Sequence, residues 1–167
     1  MAIEAEKVIP HSTEEIVNAY ASQAFHEHLA AKVGSQLKSF EVSGTSAAGY
    51  EIISTQAVSV DKLPDIAKKV LKDTVNVTIT DTWSAPDTSG SRRSDTRVEV
   101  AGAPVKGLAS QNLHARADTE TLATVRGDVE VKIPLIGKKV KSAAEPYIAK
   151  FIELQAKEVS NFISSRS

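Results

Sequence analysis

The sequence contains no cysteine in its 167 residues. This absence excludes disulfide frameworks, thiolate metal sites, redox pairs and a cysteine nucleophile. Aromatic residues make up only 5% of the chain, and there is a single methionine, at the first position. A hydrophobic core must therefore be built mainly from Val, Ile, Leu and Ala.

Long apolar runs and an excess of one charge are also missing. No segment approaches the roughly 18 consecutive apolar residues that a membrane span requires, and the N-terminal residues are charged where a signal peptide would be apolar. The 20 Lys and Arg residues are balanced by 21 Asp and Glu residues, without a basic stripe. We therefore expect a cytoplasmic protein that neither inserts stably into a membrane nor binds nucleic acid.

The length predicts a single domain over residues 1–167, and its first part predicts a strand followed by two short helices. Weak alternation over residues 3–9 indicates the strand. The sequence Ser12-Thr-Glu-Glu15 is typical of a capping box and predicts the start of the first helix. Ser22 is the predicted N-cap of the second helix, and Gly34 its left-handed C-cap.

From residue 36 onward the hydrophobic pattern mostly has a period of two, which predicts antiparallel strands. One segment, 63–71, breaks this pattern: its apolar side chains, Val70 among them, fall on one helical face and Lys68, Lys69 and Lys72 on the other. It predicts a helix of one or two turns. The predicted strands are 37–42, 50–60, 75–83, 93–100, 108–117 and 125–133.

The C-terminal segment has a different period. Apolar residues recur at spacings of three and four over Ile136–Ser164 and predict one helix of more than about 40 Å. Pro146 removes the amide that would bond to the carbonyl of Ser142. Two outcomes are open: the helix kinks at the proline, or Ser142 and Glu145 form a second capping box and the helix restarts.

Three features carry a family resemblance: Ile-Pro-His-Ser-Thr-Glu-Glu-Ile at 9–16, Trp83 at the end of a middle strand, and Gly-Asp-Val-Glu-Val-Lys-Ile-Pro-Leu-Ile-Gly at 127–137. With the order of elements, they resemble the START-like (SRPBCC) helix-grip superfamily in its polyketide cyclase/dehydrase-like branch, close to small, uncharacterised bacterial members with one domain. The resemblance covers essentially the whole chain. It implies an α+β fold: a curved antiparallel sheet of about six or seven strands wraps around the long helix and leaves a mostly apolar cavity, commonly about 300–1,000 Å³.

Histidine is the side chain best suited to proton transfer near neutral pH, and the chain has four. His26 follows Phe25 near the mouth that the two short helices form in the family, which leaves two positions open: a contact with the pocket, or a place outside it. His28 points about 200° away from His26, so the two cannot share a metal, and we expect His28 at the surface. His114 lies on a polar strand face that is either solvated or, as in cyclase-like members, lines the cavity.

Aromatic side chains are the main candidates for ligand contact. Tyr147 and Phe151 lie on the inner stripe of the last helix, and Phe25 lies on the second helix. Trp83 is foremost a core anchor and secondarily a ligand platform, and Tyr50 offers a polar handle in an apolar space. The sequence shows no metal signature, and we expect no metal and no cofactor.

The sequence leaves three functions open. The first is the binding of a hydrophobic small molecule, such as a lipid or a polyketide, between the sheet and the last helix. The second is an aromatase/cyclase-type enzyme acting on a poly-ketone chain, with His26, Tyr50 and His114 as weak catalytic candidates. The third is a protein-interaction or chaperone-activating module with a protein partner. Whether the protein is an enzyme is not decided by its sequence.

Overall fold

Seven strands and four helices make up the part of the chain that the computed structural model describes, residues 3–69, 71 and 73–166. The strands are β1 (Ile3–Ile9), β2 (Gln36–Thr45), β3 (Gly49–Ser59), β4 (Thr74–Trp83), β5 (Arg92–Val100), β6 (Val105–Ala117) and β7 (Glu120–Val131). The helices are α1 (Thr13–Tyr20), α2 (Gln23–Val33), α3 (Asp65–Lys68) and α4 (Gly137–Arg166).

All neighbouring strands pair antiparallel, in the order β1-β7-β6-β5-β4-β3-β2. The long helix α4 packs on β1 and β7 and also contacts the three other helices. This is the predicted α+β helix-grip architecture. At one position of the sheet, a Cβ added to Gly127 would lie only 2.9 Å from the Cβ of Ala109, so glycine permits a close approach of β6 and β7 there.

The local signals at the first two helices are largely confirmed. The Ser12 hydroxyl accepts from the backbone N–H of Glu15 at 3.1 Å, and the Glu15 carboxylate accepts from the backbone N–H of Ser12 at 3.3 Å, which completes the capping box. Gly34 ends α2 with φ 72°, a left-handed conformation in which glycine is favoured. Ser22 holds the N-cap position of α2, but its side chain makes no capping hydrogen bond.

The structure also describes the predicted helix at 63–71 in part, and the predicted C-terminal helix. The segment between β3 and β4 forms a 3-10 turn over Val60–Lys62 and the single turn of α3; Val70 and Lys72 lie outside the described residues. Helix α4 runs without interruption through Pro146. The alternative that the helix restarts at Ser142 is therefore wrong, because the preceding turn from Gly137 already belongs to the same helix.

Aromatic rings fill one end of the space between the sheet and α4. Tyr20 stacks on Trp83 with ring centroids 5.8 Å apart, and it meets Phe25 edge-on at 5.5 Å. Phe25 in turn packs edge-on against Phe162 at 5.5 Å. These four side chains belong to the hydrophobic core. Other residues cover the inner face of the sheet in its middle.

Candidate ligand cavity

A cavity of about 140 Å³ lies between the sheet and α4. Its roof is the apolar face of α4, consisting of Ile148, Phe151, Ile152 and Ala156. Its floor is the inner face of the sheet, where apolar residues such as Ile79 and Val125 alternate with a polar group. The cavity is therefore apolar on the helix side and mixed on the sheet side.

The polar residues of the sheet form one connected surface, which we call the polar floor. They come from four neighbouring strands because each strand turns every second side chain inward. Asp81 of β4 pairs with Thr96 of β5, and Gln111 of β6 lies opposite Ser94, two residues along β5 from Thr96. The polar floor consists of Ser54, Gln56, Asp81, Thr96 and Gln111.

Asp81 is the charged member of the polar floor. The Thr96 hydroxyl donates to its carboxylate at 2.5 Å. Burial raises the pKa of Asp81 to about 6, although the hydrogen bond from Thr96 lowers it. No lysine or arginine in the described part of the chain forms an ion pair with Asp81. The cavity thus holds a carboxyl group that changes charge near neutral pH and that no described basic side chain neutralises.

Tyr20 brings a hydroxyl from α1 to the same cavity. Burial raises the pKa of this hydroxyl, a hydrogen bond from Gln111 lowers it, and the charge of Asp81 raises it again. The net effect is upward, so Tyr20 keeps its proton at any physiological pH. It can serve as a neutral hydrogen-bonding group beside a carboxylate.

His26 lines the cavity from α2. Its Nε2 lies 2.7 Å from the carbonyl oxygen of Tyr20. A carbonyl only accepts, so Nε2 carries the proton and Nδ1 is the acceptor of a neutral ring. Burial lowers the pKa of His26, against the opposing effect of that carbonyl, so the ring is neutral at pH 7.

The cavity reaches solvent between β1 and α4. The exposed members of its lining are Glu6 and Lys7 on β1 and Glu153 on α4. Glu6 alternates with Ala5 and Lys7 along β1, so its side chain lies on the other face of the strand, and the charged groups on the cavity side are the carboxyl groups of Asp81 and Glu153 and the ammonium group of Lys7. The electrostatic character of the cavity at neutral pH is negative.

The remaining predicted site residues divide into two groups. Phe151 contributes to the roof. Phe25 and Trp83 are buried in the core, and Tyr147 is 40% exposed; none of the three lines the cavity. Tyr50 lies outside the lining too, and its hydroxyl donates to the side chain of Asn18 at 2.9 Å.

The structure decides between the two alternatives for the strand face of His114. His114 is exposed and lies on the outer side of the sheet, whereas its neighbours Gln111 and Leu113 point inward. The polar alternation of this strand marks its solvent face, and the cavity is lined by the opposite, mostly apolar face. The alternative that the face of His114 lines the cavity is therefore wrong.

Sequence reasoning missed the polar floor, although a signal for it was present. Asp81 stands between Ile79 and Trp83 on the apolar face of its strand, and Gln111 stands between Ala109 and Leu113. A polar residue in phase with the buried side of an alternating strand indicates a buried polar site.

The geometry supports neither a metal centre nor a membrane span within the described residues. Among them, no group of three His, Asp or Glu side chains is placed to hold a metal ion. No helix in this part of the chain is long and apolar enough to cross a membrane.

Solved structures with the same architecture identify the fold. The fold is similar to TTHA0849 from Thermus thermophilus, with a TM-score of 0.63 and 13% identity over 100% of this chain and 99% of that one. It is similar to a START superfamily protein from Mycobacterium smegmatis, with a TM-score of 0.58 and 14% identity over 99% of both chains. The Zhui aromatase/cyclase from Streptomyces sp. R1128 has a TM-score of 0.60 and 8% identity over 99% of this chain and 94% of that one. The chain thus has the START-like helix-grip fold.

The family is given by the sequence. A family model described as "Protein of unknown function (DUF2505)" matches residues 4–163, and the chain belongs to this family. No curated protein matches the sequence. At identities of 8–14% the solved structures show a shared fold alone.

Proposed function

We propose that the protein binds a compact, mostly apolar small molecule in the cavity, with the apolar part under α4 and a polar group on the polar floor. The observation that carries this proposal is the division of the cavity into an apolar roof and a polar floor. Ligand sites are typically apolar with a few convergent polar groups that fix orientation. The START-like fold, in which such a cavity recurs, supports the same function.

The size of the cavity limits the ligand. A dry engineered cavity of about 150 Å³ admits benzene, and the present cavity measures about 140 Å³. A single ring with a short polar substituent therefore fits, whereas a long lipid or poly-ketone chain exceeds this volume. For a ligand of this size we expect a dissociation constant of roughly 10 μM to 1 mM.

Benzyl alcohol is a suitable neutral probe, titrated into isotope-labelled protein and followed by amide chemical shifts. We expect saturable shifts in the wild type. Val125→Phe should abolish them because Val125 lines the cavity, while Val8→Phe, the same change at a 47% exposed position of β1, should not. Val125→Leu is a milder filling variant if the phenylalanine disturbs folding. Absence of saturable binding to the wild type, or equal binding to a folded Val125→Phe variant, would refute the proposal.

A second candidate function is catalysis of enolisation in a small ketone, the type of chemistry expected of an aromatase/cyclase, and one observation favours it. Asp81, with a pKa of about 6, and the protonated hydroxyl of Tyr20 both belong to the lining of the cavity. A carboxylate could take a proton from the carbon next to a ketone while a hydroxyl donates to the ketone oxygen, which is enolisation. Exchange of the α-hydrogens of cyclohexanone in D₂O tests it: an enzyme must exceed the buffer rate, and Asp81→Asn must lose the excess.

A further inference from the structure

We propose that the ligand of this cavity carries a basic nitrogen and that Asp81 binds it as an ammonium group. This inference rests on the proposed function and specifies the chemical class of its ligand. It is based on the charges around the cavity and on the hydrogen bonds that the floor already makes.

The first observation is that Asp81 has no counter-ion among the described residues. The Thr96 hydroxyl donates to its carboxylate at 2.5 Å, but a hydroxyl brings no charge. A carboxylate removed from water is costly unless it is paired with a cation or protonated. Because no described lysine or arginine pairs with it, a cationic ligand would supply the missing charge.

The second observation concerns the other groups that face the cavity. Tyr20 on α1 and His26 on α2 are uncharged at neutral pH, because burial raises the pKa of the tyrosine and lowers that of the histidine. On the rim, the exposed Glu153 on α4 and the exposed Lys7 on β1 carry opposite charges, so that Asp81 leaves the cavity with a net negative charge. The strands β5 and β6 contribute Thr96 and Gln111, which do not titrate. The net field thus favours a cation and disfavours a carboxylate ligand.

The third observation is the supply of hydrogen-bond acceptors. An ammonium group has three donors and no acceptor, so it requires a site rich in acceptors. The second oxygen of Asp81 and Nδ1 of His26 are of this kind. The hydroxyl of Ser54, buried on the floor, can accept as well.

The test compares three probes of equal size at pH 7.5: benzylamine, benzyl alcohol and benzoate. We expect benzylamine to bind the wild type about ten- to a hundredfold more tightly than benzyl alcohol, since hydrogen bonds to charged groups contribute this much. Benzoate should bind more weakly than either. Asp81→Asn should remove the preference for the amine, so that the dissociation constants of benzylamine and benzyl alcohol for this variant differ by no more than about threefold.

Two control variants separate the causes. Glu4→Gln removes an exposed carboxylate outside the cavity lining and keeps Asp81, so it should retain the preference for the amine. Val125→Phe should block amine and alcohol alike, which excludes binding of the amine to surface carboxylates.

The outcomes distinguish this inference from the function on which it rests. If neither benzyl alcohol nor benzylamine binds saturably, the proposed function itself fails. If benzyl alcohol binds but benzylamine is not preferred, or if folded Asp81→Asn retains the preference, only the assignment of an amine ligand is overturned.

Discussion

Asp81 on β4 and Thr96 on β5 face each other on the inner side of the sheet, and the threonine hydroxyl donates to the carboxylate at 2.5 Å. The pair lies on the floor of a cavity whose roof is the apolar face of α4. Burial outweighs the hydrogen bond and raises the pKa of Asp81 from 3.8 to about 6. A carboxyl group in this state makes both ligand binding and stability depend on pH.

The free energy of unfolding of Asp81→Asn should be compared with that of the wild type at two pH values. The difference in favour of the variant should be about 2 to 3 kcal/mol larger at pH 7.5 than at pH 4. The reason is that the folded wild type holds a proton more tightly than the unfolded chain. Its stability therefore decreases as the pH rises from about 4 to about 6, and asparagine does not titrate. Urea unfolding of both proteins across this range measures the difference, and parallel pH profiles would contradict the assigned pKa.

Thr96→Val should move the titration of Asp81, and with it the pH-dependent part of the stability, to higher pH. Without the hydroxyl donor, the pKa of Asp81 should rise further above 6, because the hydrogen bond from Thr96 lowers it. Carboxyl carbon chemical shifts recorded during a pH titration give the pKa directly. An unchanged or lower value in the variant would show that the hydrogen bond does not stabilise the charged form.

Trp83 should report ligand binding by fluorescence. It is the only tryptophan of the chain, it is 3% exposed, and it stacks on Tyr20, which lines the cavity. We expect a blue-shifted emission in the free protein and a saturable intensity change when benzyl alcohol is added. Tyr20→Leu should reduce this change, while Tyr147→Leu, at a position outside the lining, should leave it intact.

The contact between α2 and α4 predicts a different dependence on pH. Glu158 accepts from His28 Nε2 at 2.8 Å, and this hydrogen bond is the main cause of the lowered pKa of Glu158. A lowered carboxyl pKa contributes stability above the pKa of the unfolded state and loses it as the pH falls through the folded value. Glu158→Gln should therefore destabilise at pH 6.5 by less than about 1 kcal/mol, and the loss should shrink toward pH 3.5.

Pro146 reduces the stability of α4 without ending it. It lies inside the helix, is exposed, and precedes the residues of the cavity roof. Pro146→Ala should restore a backbone hydrogen bond to the carbonyl of Ser142 and stabilise the protein by about 1 to 2 kcal/mol. Thermal unfolding measures this gain, and Lys150→Ala, an exposed position of the same helix, is the matched control. A loss of stability in Pro146→Ala would mean that the proline conformation is required by the fold.

The architecture could be predicted because the spacing of apolar residues along the sequence indicates each strand and helix. Alternation over the strands, the capping box at Ser12 and the long apolar stripe before and after Tyr147 are local patterns, and each forms the expected element. Pro146 shows the limit of such signals. Its local effect on the helix is overridden by the packing of α4 on β1 and β7.

The site was predictable only in part, because a cavity depends on which residues several strands bring together. His26 and Phe151 line the cavity. His114 was considered because it is a histidine on a polar face, yet that face is turned to solvent. Asp81 gives a local signal as an acid on the apolar face of β4, but its grouping with Thr96 and Gln111 depends on strand pairing, which the sequence does not give.

The most direct test of ligand binding in this cavity uses alanine methyl groups labelled with ¹³C, observed during a titration with benzyl alcohol. Ala5, Ala109, Ala123 and Ala156 line the cavity, whereas Ala47, Ala101 and Ala117 are exposed elsewhere. We expect saturable shifts of the first group and none of the second. Shifts confined to the exposed alanines, or no saturable shift at any alanine, would contradict the assignment of the cavity as the ligand site.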